Sequence, residues 1–409
     1  MCTRERVRFG ELRSALQSAP SRAAFDALVD LVEQWPEEHW VREGAPYARG
    51  ILRRWPDPLR VAPQRWVERF MDLDGRFPPM AIASTLEWVH KNVDDDVVDA
   101  IASSPWIDGL RVLHLGRLRR VPRNRDIQLD EGRITELARS ERLTELVELN
   151  VAGHNFIESS LQRILTGPSL RNLGALDVSF NMLGGLHPTQ LHSAPCPLHT
   201  LIARDSAINP RGIDFLVHCA VLRPEHLRTL DLSHNPIGGI DNELLAEAIA
   251  KLLGALGEAL EELNLSGCEL EPLALQHLMG ATHLSNLRVL RLDQHAHGDA
   301  AAMMLSRAEH VTKLHTLSLA STQLGDEGLV ALSGAESLGA LRVLRLSDNP
   351  NLTPRGLRAL ASSPMLSGLR TLRLNHLPIE QGALEELRGA LPGCAIEATP
   401  VLADDEELR

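Results

Sequence analysis

The stretch "LRVLRLSDNPNL", residues 341–352, decides the fold of this chain. Leu344 and Leu346 alternate with Val343, Arg345 and Ser347, the two-residue period of a short strand with one apolar face. Asn349 follows where the chain must turn, and a buried amide there can serve backbone groups that have left the ladder. "TPRGLRALASSPML" comes next and reads as a helix, with Thr353 as N-cap, Pro354 in the first turn, and Leu357 and Leu360 on one side. One such unit cannot bury its apolar face alone.

The pattern recurs along most of the chain. It reads "LGALDVSFNML" at 173–183, "LRTLDLSHNPI" at 227–237, "LEELNLSGCEL" at 260–270, "LHTLSLASTQL" at 314–324 and "LRTLRLNHLPI" at 369–379. Weaker copies start at Leu110, Leu146, Leu198 and Leu287. "ASSPWIDGLRVL" (102–113) matches "ASSPMLSGLRTL" (361–372), so repeat-type sequence begins before residue 102. Stacking such units sets strands about 4.8 Å apart and helices roughly 10 Å apart, which predicts a curved stack with its strands inside.

The pattern resembles the leucine-rich repeat family, and the period near 27–28 with its helical segments is most similar to the ribonuclease-inhibitor-like class and to bacterial members. The resemblance implies an α/β solenoid, a horseshoe with a parallel concave sheet and convex helices. The resemblance is specific for fold and not for function; with no catalytic motif in the chain, a non-enzymatic scaffold that binds a partner protein on its concave face is expected. Asparagine fills its position only at Asn181, Asn235 and Asn349; His154, Ser206, Cys268, His295, Thr322 and Leu377 stand there elsewhere.

All six tryptophans and the single tyrosine precede residue 107, which marks a different N-terminal region. We expect a helical cap or domain over 1–93, about ten repeats over 94–400, and an acidic tail over 401–409. The expected helices include "SRAAFDALVDLVEQW" with Ser21 as N-cap, "PLRVAPQRWVERFMDL" and "AIASTLEWVHKNV". "LPGCAIEATP" adds one short closing strand. The long gap between Leu227 and Leu260 is read as a longer helix.

Five scattered cysteines argue against a disulfide framework. The charged N-terminus lacks the apolar stretch of a signal peptide, and no apolar run is long enough to span a bilayer, so a cytoplasmic location is expected. A net charge of −12 makes nucleic acid an unfavoured partner. Of 42 basic residues only three are lysine, so arginine is the default surface cation.

No phosphate loop, zincin motif, hydrolase elbow or dinucleotide fingerprint is present. No enzyme activity, metal or cofactor is expected. "HPTQLHSAPCPLH" offers His187, His192, Cys196 and His199 at spacings that fit no standard zinc finger. "HAHGD" offers His295, His297 and Asp299, but His295 stands at the asparagine position.

The expected partner-binding face comprises the central outward residue of each strand: His114, Asn150, Asp177, Ile202, Asp231, Asn264, Arg291, Ser318, Arg345 and Arg373. Arg288, Arg342 and Arg370 flank its basic C-terminal end. Asp293 and Asp348 are candidates to offset the charge there. A loop with Arg117, Arg119, Arg120, Arg123 and Arg125 is a second candidate surface. Two alternatives are inhibition of an enzyme docked on Asp177 and Asp231, as the family resemblance suggests, and nucleic-acid binding through that loop and the arginine stripe.

Overall fold

The alternating leucines become strands because only one face of each is covered. In the computed structural model the described residues are 3–88, 93, 95–117, 131–184, 196–218, 225–237 and 242–399. They fall into two units, Met1–Asn181 with Ser193–Pro197, and Met182–His192 with Leu198–Arg409.

The first unit opens with helices Thr3–Gln17, Arg22–Glu33, Ala45–Leu52 and Gln64–Asp72. Ser21 caps the second as expected, its Oγ accepting from Ala24 N at 3.1 Å. Trp40 and Trp66 are almost fully buried, and a buried indole needs a partner for its N–H. Trp40 Nε1 donates to the Pro78 carbonyl (3.1 Å) and Trp66 Nε1 to Glu33 Oε1 (2.6 Å). Strands β1 (Thr85–Glu87), β2 (Val112–His114), β3 (Glu148–Asn150) and β4 (Ala175–Asp177) then pair in parallel, each with the next. Helices Asp95–Ser103, Glu131–Arg139 and Glu158–Thr166 connect them.

The helix expected over "AIASTLEWVHKNV" does not form. Its start is a 3₁₀ turn, Pro78–Ile82, and its middle is β1. Leu86 pairs with Leu113, one repeat length further on, while Ala83 and Trp88 fill the neighbouring leucine positions. Ladder bonds from Arg111 N and Val112 N to the Ser84 carbonyl, and from Trp88 N to the His114 carbonyl, outweigh a weak helical pattern.

The second unit carries β5 (Thr200–Ile202), β6 (Thr229–Asp231), β7 (Glu262–Asn264), β8 (Val289–Arg291), β9 (Thr316–Ser318), β10 (Val343–Arg345), β11 (Thr371–Arg373) and β12 (Ala395–Glu397). Each pairs in parallel with the next, and β12 is the closing strand expected at the C-terminal end. The helix Asn242–Ala255, at 14 residues, accounts for the long gap between Leu227 and Leu260. Thr353 caps Pro354–Ala361 as predicted, its side chain accepting from Arg355 N. Leu344, Leu346 and Leu352 are fully buried, at about 2 kcal/mol of transfer free energy each.

Three asparagines perform the same task in the same geometry. Asn181 Oδ1 accepts from His154 N and Phe156 N, while Nδ2 donates to the Val151 and Val178 carbonyls. Asn235 does this for Ser206 N, Ile208 N, Ala203 O and Leu232 O. Asn349 does it for Thr322 N, Leu324 N, Leu319 O and Leu346 O. Each amide therefore stitches two successive repeats at their turns. The residue before it is left-handed, including Phe180, His234 and Asp348 at φ 58°, 59° and 60°. Glycine takes that conformation before His154 and Cys268, as Gly153 and Gly267 at φ 78° and 65°. The motif at 341–352 is one residue longer than the 11-residue copies, and a turn absorbs the difference, with Leu352 N bonded to the Asn349 carbonyl at 3.1 Å.

Candidate functional site

Strand register places the expected outward residues in rows. In the first unit the row is Glu87, His114, Asn150 and Asp177. In the second it is Ile202, Asp231, Asn264, Arg291, Ser318, Arg345, Arg373 and Glu397. Glu87 and Glu397 extend the predicted rows; both lie on strands whose leucine pattern is degenerate.

The two aspartates are engaged by their own scaffold. Asn150 Nδ2 donates to Asp177 Oδ2 (3.1 Å), and Asp177 Oδ1 accepts from Ser179 N (2.9 Å). Asn264 Nδ2 donates to Asp231 Oδ2 (2.9 Å), and Asp231 Oδ1 accepts from the amide and hydroxyl of Ser233. These carboxylates cap strand ends as well as facing outward.

The basic end is organised differently. Arg345 and Arg373 are directly opposed across β10 and β11. Arg373 Nε lies 2.8 Å from Glu397 Oε2 on the closing strand, and Arg291 Nη1 lies 3.9 Å from Glu262 Oε2. Arg345 has no ion pair among the described residues, and its buried Nε has no hydrogen-bond partner. Burial pulls its guanidinium below the usual value, Arg373 and Arg291 add to this, and Asp293 and Glu397 oppose it. The offset expected from Asp293 and Asp348 is limited by their other bonds. Asp293 accepts from Ser318 Oγ and Ala320 N, and Asp348 from His376. Arg342 turns back onto the Leu341 carbonyl at 2.8 Å, Arg288 pairs with Glu261 at 3.3 Å, and Arg370 is exposed. Glu397 and Glu262 were not foreseen, because cross-strand pairing in the carbonyl-to-amide register is invisible until the strands are aligned.

His114 holds the opposite kind of pairing in the first unit. Its Nε2 lies 2.9 Å from Glu148 Oε1, and Nδ1 lies 3.8 Å from Glu87. The hydrogen bond to Glu148 raises its pKa, burial opposes, and the charges of Glu148, Glu87 and Asp177 raise it further. The protonated ring therefore stabilises the fold below the ordinary imidazole value, and that contribution is lost as pH rises through the raised one. Histidine NMR titration is expected to find His114 above its usual value, and Glu148→Gln to bring it down; an unchanged His114 in that variant would refute the pairing.

The described metal candidates do not come together. His187 and His192 lie outside the described residues. The Cys196 thiol donates to the Leu165 and Leu170 carbonyls, and His199 meets the Thr200 hydroxyl. His295 fills the asparagine position, its Nδ1 accepting from Leu270 N and its Nε2 bonded to the Leu265 carbonyl. His297 pairs with Glu271, and Asp299 Oδ1 accepts from Gly325 N and Gly328 N at the start of the next helix. Burial pushes the Cys268 thiol up to about 12, the behaviour of a packing residue and not a nucleophile. No group of three or more His, Cys, Asp or Glu suited to a metal exists among the described residues. Of the candidate loop only Arg117 is described; Arg119, Arg120, Arg123 and Arg125 lie outside. No described helix is long and apolar enough to cross a membrane.

A leucine-rich repeat family model matches residues 223–241, 310–333 and 341–361. These segments coincide with strand–turn–helix units described above, which identifies them as leucine-rich repeats. A solved structure, the Rad7 and Elc1 complex in yeast, aligns with 95% of this chain and 97% of that chain, at 17% identity and a TM-score of 0.45. No curated protein matches the chain. Repeats of this kind present extended surfaces to other proteins, which supports an interaction scaffold in general terms.

Proposed function

We propose that this protein binds an acidic protein partner on the strand face of its second unit, with Arg291, Arg345 and Arg373 contacting the partner's carboxylates. The observation that carries the reading is Arg345. A scaffold arginine that only faced water would extend its head into solvent. This one is half-buried between Ser318 and Arg373, without a counter-charge of its own, and a partner carboxylate would supply one bidentately. Ser318 and Asn264 on the same row offer neutral contacts, and Asp231 an acidic one.

Affinity capture from the native cell with wild type and with Arg291/Arg345/Arg373→Glu tests this. Partners lost only from the variant are the expected result, and identical sets of partners refute it. The same crowding carries a stability consequence. Arg345→Gln is expected to raise the stability of the free protein by roughly 0.2–1 kcal/mol, since directly opposed like charges cost that much. A loss of stability in denaturant titration would show that Arg345 is already satisfied internally.

A further inference from the structure

The first unit holds an open cavity of about 750 Å³ whose wall includes Arg49, Arg53, Arg60, Arg111 and Arg142. That volume is the size of small-molecule sites. Two of the arginines carry their own carboxylates: Arg53 pairs with Glu145 at 2.8 Å and Arg142 with Asp108 at 3.3 Å. Arg60 and Arg111 share one, Asp57, at 3.0 and 2.9 Å. Arg49 forms no ion pair among the described residues. Its Nε donates to the Ala81 carbonyl at 3.1 Å, which fixes the guanidinium plane, while its buried Nη2 has no hydrogen-bond partner.

Arg60 is 5% exposed, and its Nε is likewise buried without a partner. One wall residue, Glu141, is an exposed carboxylate with no arginine of its own among the described pairs. Burial lowers the pKa of both Arg49 and Arg60, with the charge of Asp108 opposing at the first and that of Asp57 at the second. Gly109 adjoins this guanidinium, since a Cβ there would lie 4.0 Å from Arg49 Nη2, an ordinary contact.

We propose that this cavity binds a small phosphorylated molecule, its phosphate seated on Arg49 and Arg60 with Arg111 beside them. A phosphate offers several acceptor oxygens to two or three guanidinium forks at once, whereas one carboxylate satisfies a single fork. The spare donors here belong to separate arginines. The remaining volume accommodates the organic part of the ligand.

Calorimetry with pyrophosphate, at near-physiological salt and on the full chain, tests this. Wild type is expected to bind saturably, and malonate at the same ionic strength to bind more weakly. Arg49→Met is expected to weaken pyrophosphate by about tenfold or more, the loss of one charge-assisted hydrogen bond. Gly109→Leu fills the approach without touching the Ala81 contact, so it separates lost binding from lost folding. Arg345→Gln, on the strand face of the other unit, is expected to leave pyrophosphate binding unchanged. No saturable binding, malonate equal to pyrophosphate, or full binding by Gly109→Leu would overturn the assignment. Since capture with Arg291/Arg345/Arg373→Glu tests the partner face and pyrophosphate binding tests this cavity, the two readings fail separately.

Discussion

Asn349→Ala is expected to destabilise the second unit by about 3–5 kcal/mol, the effect of stranding several buried backbone groups at once. The side chain is fully buried and joins two repeats through Thr322 N, Leu324 N, Leu319 O and Leu346 O. Alanine leaves both amides without an acceptor, while Leu319 O keeps only the bond from Thr322 Oγ1. Asn349→Asp is expected to be comparably damaging, since it retains the acceptor but loses Nδ2 and buries a charge. Thr322→Ala, which removes a single hydroxyl bond, is expected to cost only about 1 kcal/mol. Hydrogen exchange gives the local reading. The Thr322 and Leu324 amides should lose protection in Asn349→Ala, and unchanged protection would show that water or a shifted backbone replaces the amide at no cost.

Acid is expected to loosen the first unit through His154. Its ring is 2% exposed, bonded through Nε2 to the Leu115 carbonyl at 2.9 Å, and stacked on Phe156 with centroids 5.7 Å apart. A carbonyl needs a donor from Nε2, so the neutral ring already satisfies it and gains nothing from a second proton. Burial lowers the pKa to about 4 from 6.5, with the Leu115 bond opposing and the charge of Arg117 contributing. Between those values the unfolded chain takes up a proton that the folded chain refuses. Stability is therefore complete above the unfolded value and is lost as pH falls towards the folded one, by about 3 kcal/mol. His295 follows the same direction in the second unit, where burial also lowers its pKa. His154→Asn, which restores the residue that the repeat favours, is expected to flatten the acid side of the stability profile. A His154 resonance titrating near its ordinary value would refute the assignment. His114 acts with the opposite sign in the same unit, so the two histidines leave their shared stability maximum between their pKa values.

The strands from Val112 onward were legible because a leucine every second residue and a turn residue at fixed offset leave few alternative structures. β1 escaped notice because Ala83 and Trp88 stand where the template has leucine. Its signal was the spacing of Leu86 from Leu113, which survives when residue identity does not. The helical N-terminal pattern was legible in Ser21 and the buried face of Arg22–Glu33, since capping and amphipathicity are local.

By itself the sequence determined the repeat, the alternation of inward and outward strand residues, and the order of the outward series from His114 to Arg373. Those follow from short-range periodicity, which the backbone obeys wherever its apolar face is covered. Tertiary structure decided which charges are balanced. Glu397 reaches Arg373, Glu262 approaches Arg291, Asp293 is spent on Ser318 and Ala320, and Arg345 is left over. It also gathered Arg49, Arg60 and Arg111 from separate segments around one cavity. The reason is physical: a charge's worth depends on burial and on neighbours distant in sequence, and neither is written in the spacing of leucines.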